Sequence, residues 1–174
     1  MDIKTREKIE EYAKSMRWTP QNFYWKHAFQ VREFALMIQK RVGGDKDVVE
    51  ASALLHDIGK AKLLAPGHEE ISAKLAREFL EKINFDASKI RQIVECIKYE
   101  DFDFIEARIL RSADSMGLIM DERGQNWYFE NILKNDNEQI LKELEKSYSE
   151  IEFDFDFAKK FVEKRYKELV KRYE

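Results

Sequence analysis

One cysteine, Cys96, in 174 residues excludes an internal disulfide framework and a thiolate-built metal cluster, and it fits a reducing compartment. Any metal held by this chain must therefore use imidazole and carboxylate groups. Histidine is almost as scarce, with three in all. Neither sign of charge dominates: 31 basic residues stand against 34 acidic ones, so no basic field points to a nucleic-acid polymer or an anionic membrane. No stretch approaches the roughly 20 apolar residues of a membrane span, and the first residues are charged, without an apolar signal core. The expectation is a cytoplasmic protein with no membrane partner.

Proline is limited to Pro20 and Pro66, and glycine clusters at Gly43-Gly44, Gly59 and Gly67, so the breaks fall between segments of helical periodicity. The length suits one domain with a real core. The fold class read from the pattern is all-α, with helices predicted at about 3–18, 22–42, 45–56, 68–83, 86–100 and 106–120. Asp86 is placed as the cap of the fifth. Beyond residue 120 the pattern is weaker, with helical stretches near 127–133 and 137–148. The run Phe153-Asp154-Phe155-Asp156-Phe157 then alternates like a strand but leads into a helix ending near Tyr173. The aromatics of this region, from Trp127, Tyr128 and Phe129 to Phe161, sit at spacings expected of core residues.

Against this background the run from Ala51 to Lys60 stands out, because His56 and Asp57 end an almost wholly apolar helix. An adjacent imidazole and carboxylate are costly to desolvate unless they bind each other, an ion or a charged ligand. Gly59 lets the chain turn just after them. His27 shares a helical face with Val31, Phe34 and Ile38, so its ring points inward. Asp114 lies in the low-charge helix 106–120, where aspartate is a poor helix former and an expensive buried group.

Each residue has a plain structural explanation when taken singly. His27 could be a core histidine bonded to a carbonyl, His56 and Asp57 a helix terminus, and Asp114 a partner of Arg111 three residues earlier. Taken together, two inward imidazoles and two carboxylates are explained by a single bound cation.

His27, then His56-Asp57, then Asp114, all on helices, resembles the HD superfamily of metal-dependent phosphohydrolases. The segments His27-Ala28-Phe29-Gln30-Val31-Arg32, Ala53-Leu54-Leu55-His56-Asp57-Ile58-Gly59-Lys60 and Ile109-Leu110-Arg111-Ser112-Ala113-Asp114 match that family in order and spacing. The similarity covers about 23–120, leaving 121–174 as a C-terminal helical extension of one HD-type domain spanning 1–174.

The resemblance implies that His27, His56, Asp57 and Asp114 hold one divalent transition metal, with Mn, Fe, Co, Ni or Zn suiting the mixed donors better than Mg. It also implies hydrolysis of a small phosphorylated substrate, such as a nucleotide, by a metal-activated water. Asp57, Lys60 and Glu69 are the expected catalytic groups, and Lys60, His68 and Arg111 the expected substrate contacts. His68 and Glu100 stand where two-metal relatives carry added histidines, but the shortage of nitrogen donors favours a single ion. A homodimer is a further expectation. Two alternatives share the pocket: a module that senses a nucleotide without turning it over, and a dinuclear-iron oxygenase.

Overall fold

The computed structural model describes residues 1–16, 23–62, 67–98, 103–149, 151 and 153–174; the side chains of 23, 24, 117, 118, 123, 124 and 127 lie outside that description. The described residues form helices α1 (Ile3–Ser15), α2 (Phe23–Val42), α3 (Lys46–Leu55), α4 (His68–Lys82), α5 (Ala87–Lys98), α6 (Ile105–Met120), α7 (Glu122–Asn131), α8 (Asn137–Ser149) and α9 (Asp156–Tyr173), with a 3-10 turn at Ile58–Ala61. No strand occurs among them. None of these helices is long and apolar enough to cross a membrane.

Local chemistry sets the boundaries. Asp45 caps α3 by accepting hydrogen bonds from the backbone N–H of Asp47 and Val48, at 2.8 and 3.3 Å. Asp86 does the same for α5 through Ser88 and Lys89, at 2.8 and 3.1 Å. Gly43 and Gly44 both take positive φ, 86° and 92°, which ends α2 without steric penalty.

Helix α3 lies at the centre. Val48 through Leu55 are all buried, because α1, α2, α4, α5 and α6 pack around this one helix. Small residues at Ala51, Ser52 and Ala53 allow that approach, all three at 0% exposure. Glu50 is buried too, and its carboxylate accepts hydrogen bonds from Arg32 of α2, with Nε at 2.8 Å. That pairing compensates two charges that would otherwise be strongly unfavourable inside.

Helix α6 packs against α2 along one side and against α9 elsewhere. The C-terminal helices α8 and α9 hold each other through stacked rings of Tyr148 and Tyr166, 4.2 Å between centroids. Val162 and Leu169 of α9 are buried, and Tyr173 meets the buried Phe129 edge to face at 5.5 Å. Phe153, Phe155 and Phe157 also pack against the core. Phe161 is the exception in this region, exposed at 45%.

The alternating Phe153–Phe157 segment does not form a strand. Residues 153–155 are irregular and α9 begins at Asp156. The alternation instead turns the phenylalanines inward while Asp154 is taken up by side chains of α6. Helix α1 stops at Ser15, three residues short of the expected end, and the Trp18 and Pro20 region lies outside the described residues.

Candidate metal centre

The centre is built where α2, the end of α3 and the middle of α6 meet. His56 is the C-cap of α3, fully buried. Its Nδ1 stands 2.8 Å from the Ala53 carbonyl oxygen. A carbonyl can only accept, so Nδ1 carries the proton and Nε2 is the atom presented to the cluster. That Nε2 is buried and makes no hydrogen bond. It stands 3.4 Å from Asp57 Oδ2 and 3.4 Å from Asp114 Oδ1.

His27 comes from the first turns of α2 and presents Nε2 to the same place, 2.9 Å from Asp114 Oδ1 and 3.7 Å from Asp57 Oδ2. Its helix-mates Val31 and Ile38 are fully buried, so the apolar face of α2 fixes the direction of the ring. One ligand atom each from His27, His56 and Asp57 lie within 4.8 Å of one another. Asp114, at the rim with 32% side-chain exposure, closes the group through its contacts to both histidines.

The electrostatics follow from this crowding. Burial alone would push the His56 imidazolium toward neutrality, but the carboxylates of Asp57 and Asp114 outweigh it and raise the pKa to about 10. Burial would likewise raise the carboxyl of Asp57. The His56 charge, the hydrogen bond from His68 and the Lys60 ammonium beside it hold it well below the usual range. Asp114 is depressed in the same way, against the effect of burial, by His56 and His27. The cluster thus draws positive charge to one point.

Asp57 has two working sides. Oδ2 faces the histidines and also accepts from Lys60 Nζ at 2.7 Å. Oδ1 faces His68 Nε2 at 3.2 Å. His68 opens α4, and its other nitrogen lies 3.3 Å from Glu69 Oε1. Glu69 is therefore turned toward His68 and also accepts from the Gly67 backbone N–H at 3.0 Å. Glu100 lies outside the described residues.

Gly59 makes this second side possible. Its N–H donates to Ser72 Oγ at 2.8 Å, and a Cβ built on it would lie 2.3 Å from the His68 carbonyl oxygen and 2.7 Å from Ser72 N. Those are backbone atoms, which no rotamer change can move aside. Gly59→Ala is expected to lower unfolding stability by about 1 to 3 kcal/mol, the usual range for overpacking, and to separate His68 from Asp57. Urea unfolding checks the first effect.

Arg111 is bound to Asp154. Its Nε and Nη2 donate to Asp154 Oδ2 and Oδ1, at 3.0 and 2.8 Å. Asp114 bonds to His27, so the pairing with Arg111 considered from spacing alone is not needed to explain the aspartate. Asp154 was invisible to sequence reasoning, hidden in a segment that reads as a strand.

A group of mixed nitrogen and oxygen donors around a buried, unpartnered imidazole nitrogen fits a divalent transition metal. The sequence pattern of the HD domain matches residues 24–117, a span that contains all four of these side chains. The chain belongs to the HD domain family. Ribonuclease Y of Sulfurovum sp. (strain NBC37-1) is 32% identical over 92 residues, which is 52% of this chain and 17% of that protein. This HD chain therefore spans about a sixth of the length of that relative. The crystal structure of Bacillus subtilis YpgQ in complex with ADP superposes with a TM-score of 0.61, covering 96% of this chain and 93% of that one at 17% identity. At that identity the likeness is one of fold, and it extends through the C-terminal helices as well as the HD core.

Proposed function

We propose that this HD domain protein is a divalent-metal-dependent phosphohydrolase whose substrate is a small phosphorylated metabolite such as a nucleotide. The observation that carries this reading is the buried His56 Nε2, without a hydrogen bond, facing His27, Asp57 and Asp114. His27, His56, Asp57 and Asp114 would hold the ion. When bound, a divalent cation supplies a Lewis acid that neutralises phosphoryl charge and makes water acidic enough to act as a nucleophile.

The chain's own groups supply the rest. Lys60 sits at the mouth, 25% exposed, with its ammonium beside Asp57, where it can hold a phosphoryl oxygen as a compact point charge. His68, 14% exposed on the other side of Asp57, can turn its Nε2 from Asp57 to an arriving phosphoryl oxygen while Glu69 holds the other side of its ring. The fixed ring direction at His27 and the buried anchor at His56 keep the donor atoms in place without reorganisation.

The test is phosphate release by purified protein with Mn, Co, Ni or Mg, against nucleoside mono-, di- and triphosphates and sugar phosphates. Release with at least one substrate, abolished by chelator, supports the proposal. A nucleotide bound without turnover across the panel would favour a sensing module instead. A second reading, cleavage of an RNA phosphodiester, is favoured by the similarity to ribonuclease Y. A short oligoribonucleotide in the same panel separates it from the first.

Lys60→Ala is expected to keep the metal, because removing a like charge from beside the ion site offsets the loss of its hydrogen bond to Asp57. Its kcat/KM should fall at least about tenfold, equivalent to roughly 1.4 kcal/mol of transition-state stabilisation. Unchanged kinetics would return Lys60 to the solvated surface.

A further inference from the structure

Asp154 is the most heavily bonded carboxylate outside the metal cluster among the described residues. Besides the two hydrogen bonds from Arg111, Oδ1 accepts from Arg108 Nε at 3.3 Å, and the Asp154 carbonyl accepts from Arg108 Nη2 at 3.3 Å. The Ser112 hydroxyl stands 3.3 Å from Oδ2 and accepts from the Asp154 backbone N–H at 3.2 Å. Ser112 is fully buried. Phe153 and Phe155 on either side pack against the core, and Arg108 lies over the Phe155 ring at 5.3 Å. The carboxylate is thus delivered on a fixed segment rather than a loose one.

All three partners lie within residues 108–112 of α6, in the turn just before Asp114. Arg111 and Asp114 are three apart, neighbours on one helical surface. Helix α2 packs on α6 from another side and carries His27. Helices α3, α5 and α9 also pack on α6, but apolar packing sets a helix's rotation only loosely, whereas metal–ligand distances tolerate only about 0.2 Å. The charged grip from the C-terminal segment adds a directional constraint to that packing.

We propose that Asp154 is a positioning residue for the metal centre: through Arg111 and Ser112 it fixes the rotation of α6 that brings the Asp114 carboxylate to His27 and His56. This inference rests on the reading of Asp114 as a metal ligand. It gives the C-terminal extension a part in the HD centre, whose four proposed ligands all lie before it. It also assigns Arg111 a role in holding the helix.

Mn2+ binding to the full chain by calorimetry, with Co2+ absorption as a report on ligand geometry, tests the proposal in wild type, Asp154→Asn, Arg111→Gln and the double variant. Asp154→Asn and Arg111→Gln should each weaken Mn2+ binding about tenfold and alter the Co2+ spectrum, and the double variant should be no more than about twofold worse than either, since both act through one contact. Tyr148→Ala serves as the control, because it removes the stack that joins α8 to α9 without touching the clamp. It should lower Tm yet leave Mn2+ affinity within about twofold. Wild-type affinity in Asp154→Asn overturns the inference, as does equal weakening in Tyr148→Ala, which would reveal general destabilisation. Should Asp154→Asn fail to fold, Arg111→Gln decides by the same measure. Absence of Mn2+ uptake by wild type would overturn the metal reading itself, and this inference with it.

Discussion

Purified protein is expected to hold about one transition-metal ion per chain, and Asp57→Ala to hold essentially none. Asp57 is the residue whose loss should matter most, because its Oδ2 faces both His27 and His56 and its Oδ1 faces His68. Elemental analysis checks occupancy directly. Outer partners of metal ligands alone change affinity or activity about 10- to 100-fold, so removal of a ligand should exceed about 100-fold in turnover. Thermal unfolding supplies an independent readout. An ion present at a hundred times its Kd stabilises the folded state by about 2.7 kcal/mol, which for a chain of this size raises Tm by about 5 to 10 °C. Asp57→Ala should show no such rise. Full metal occupancy in that variant would remove the proposed centre.

The second large effect is a pair of opposite pH dependences. In the metal-free protein the raised pKa of His56 stabilises the fold fully below its usual value of 6.5, and that contribution is lost as pH climbs toward about 10. The lowered carboxyls of Asp57 and Asp114 add stability above their usual 3.8 that is lost as pH falls. Metal binding has the reverse trend on the basic side, because an ion must displace the proton from His56. With one proton displaced, affinity rises about tenfold per pH unit. Between pH 6 and 8, Tm in chelator should therefore fall while the Tm gain from Mn2+ grows. A metal-induced gain that stays flat over that range would show that His56 does not exchange a proton for the ion.

The helical core was legible because its signals are local. Capping aspartates such as Asp45 and Asp86, the Gly43-Gly44 stop and the 3.6-residue line through His27, Val31 and Ile38 each act within a few residues. Three of the four proposed ligands also carried a local oddity: a polar pair ending an apolar helix, and an aspartate inside another. The region from Phe153 to Phe157 was opaque for the opposite reason. Its alternation has no partner strand to answer it, and what holds it is a carboxylate bonded to residues 42 to 46 positions earlier. Charge pairs at that separation leave no periodic trace. The Arg111–Asp154 pair was hidden for the same reason, since spacing could offer Arg111 only near neighbours such as Asp114.

The burial of α3 on every side also dictates how an ion could come and go. With Val48 through Leu55 enclosed and His56 at 0% exposure, the inner ligand cannot retreat without opening the whole protein. His27 and Asp114 keep 18% and 32% of their side-chain surface open. With Lys60 at 25% beside Asp57, these side chains form the rim through which an ion would exchange with solvent, while the buried His56 would anchor it from inside. A substitution at Asp114 should change both how fast an ion arrives and how long it stays, and amide hydrogens of α3 should be among the last in the molecule to exchange.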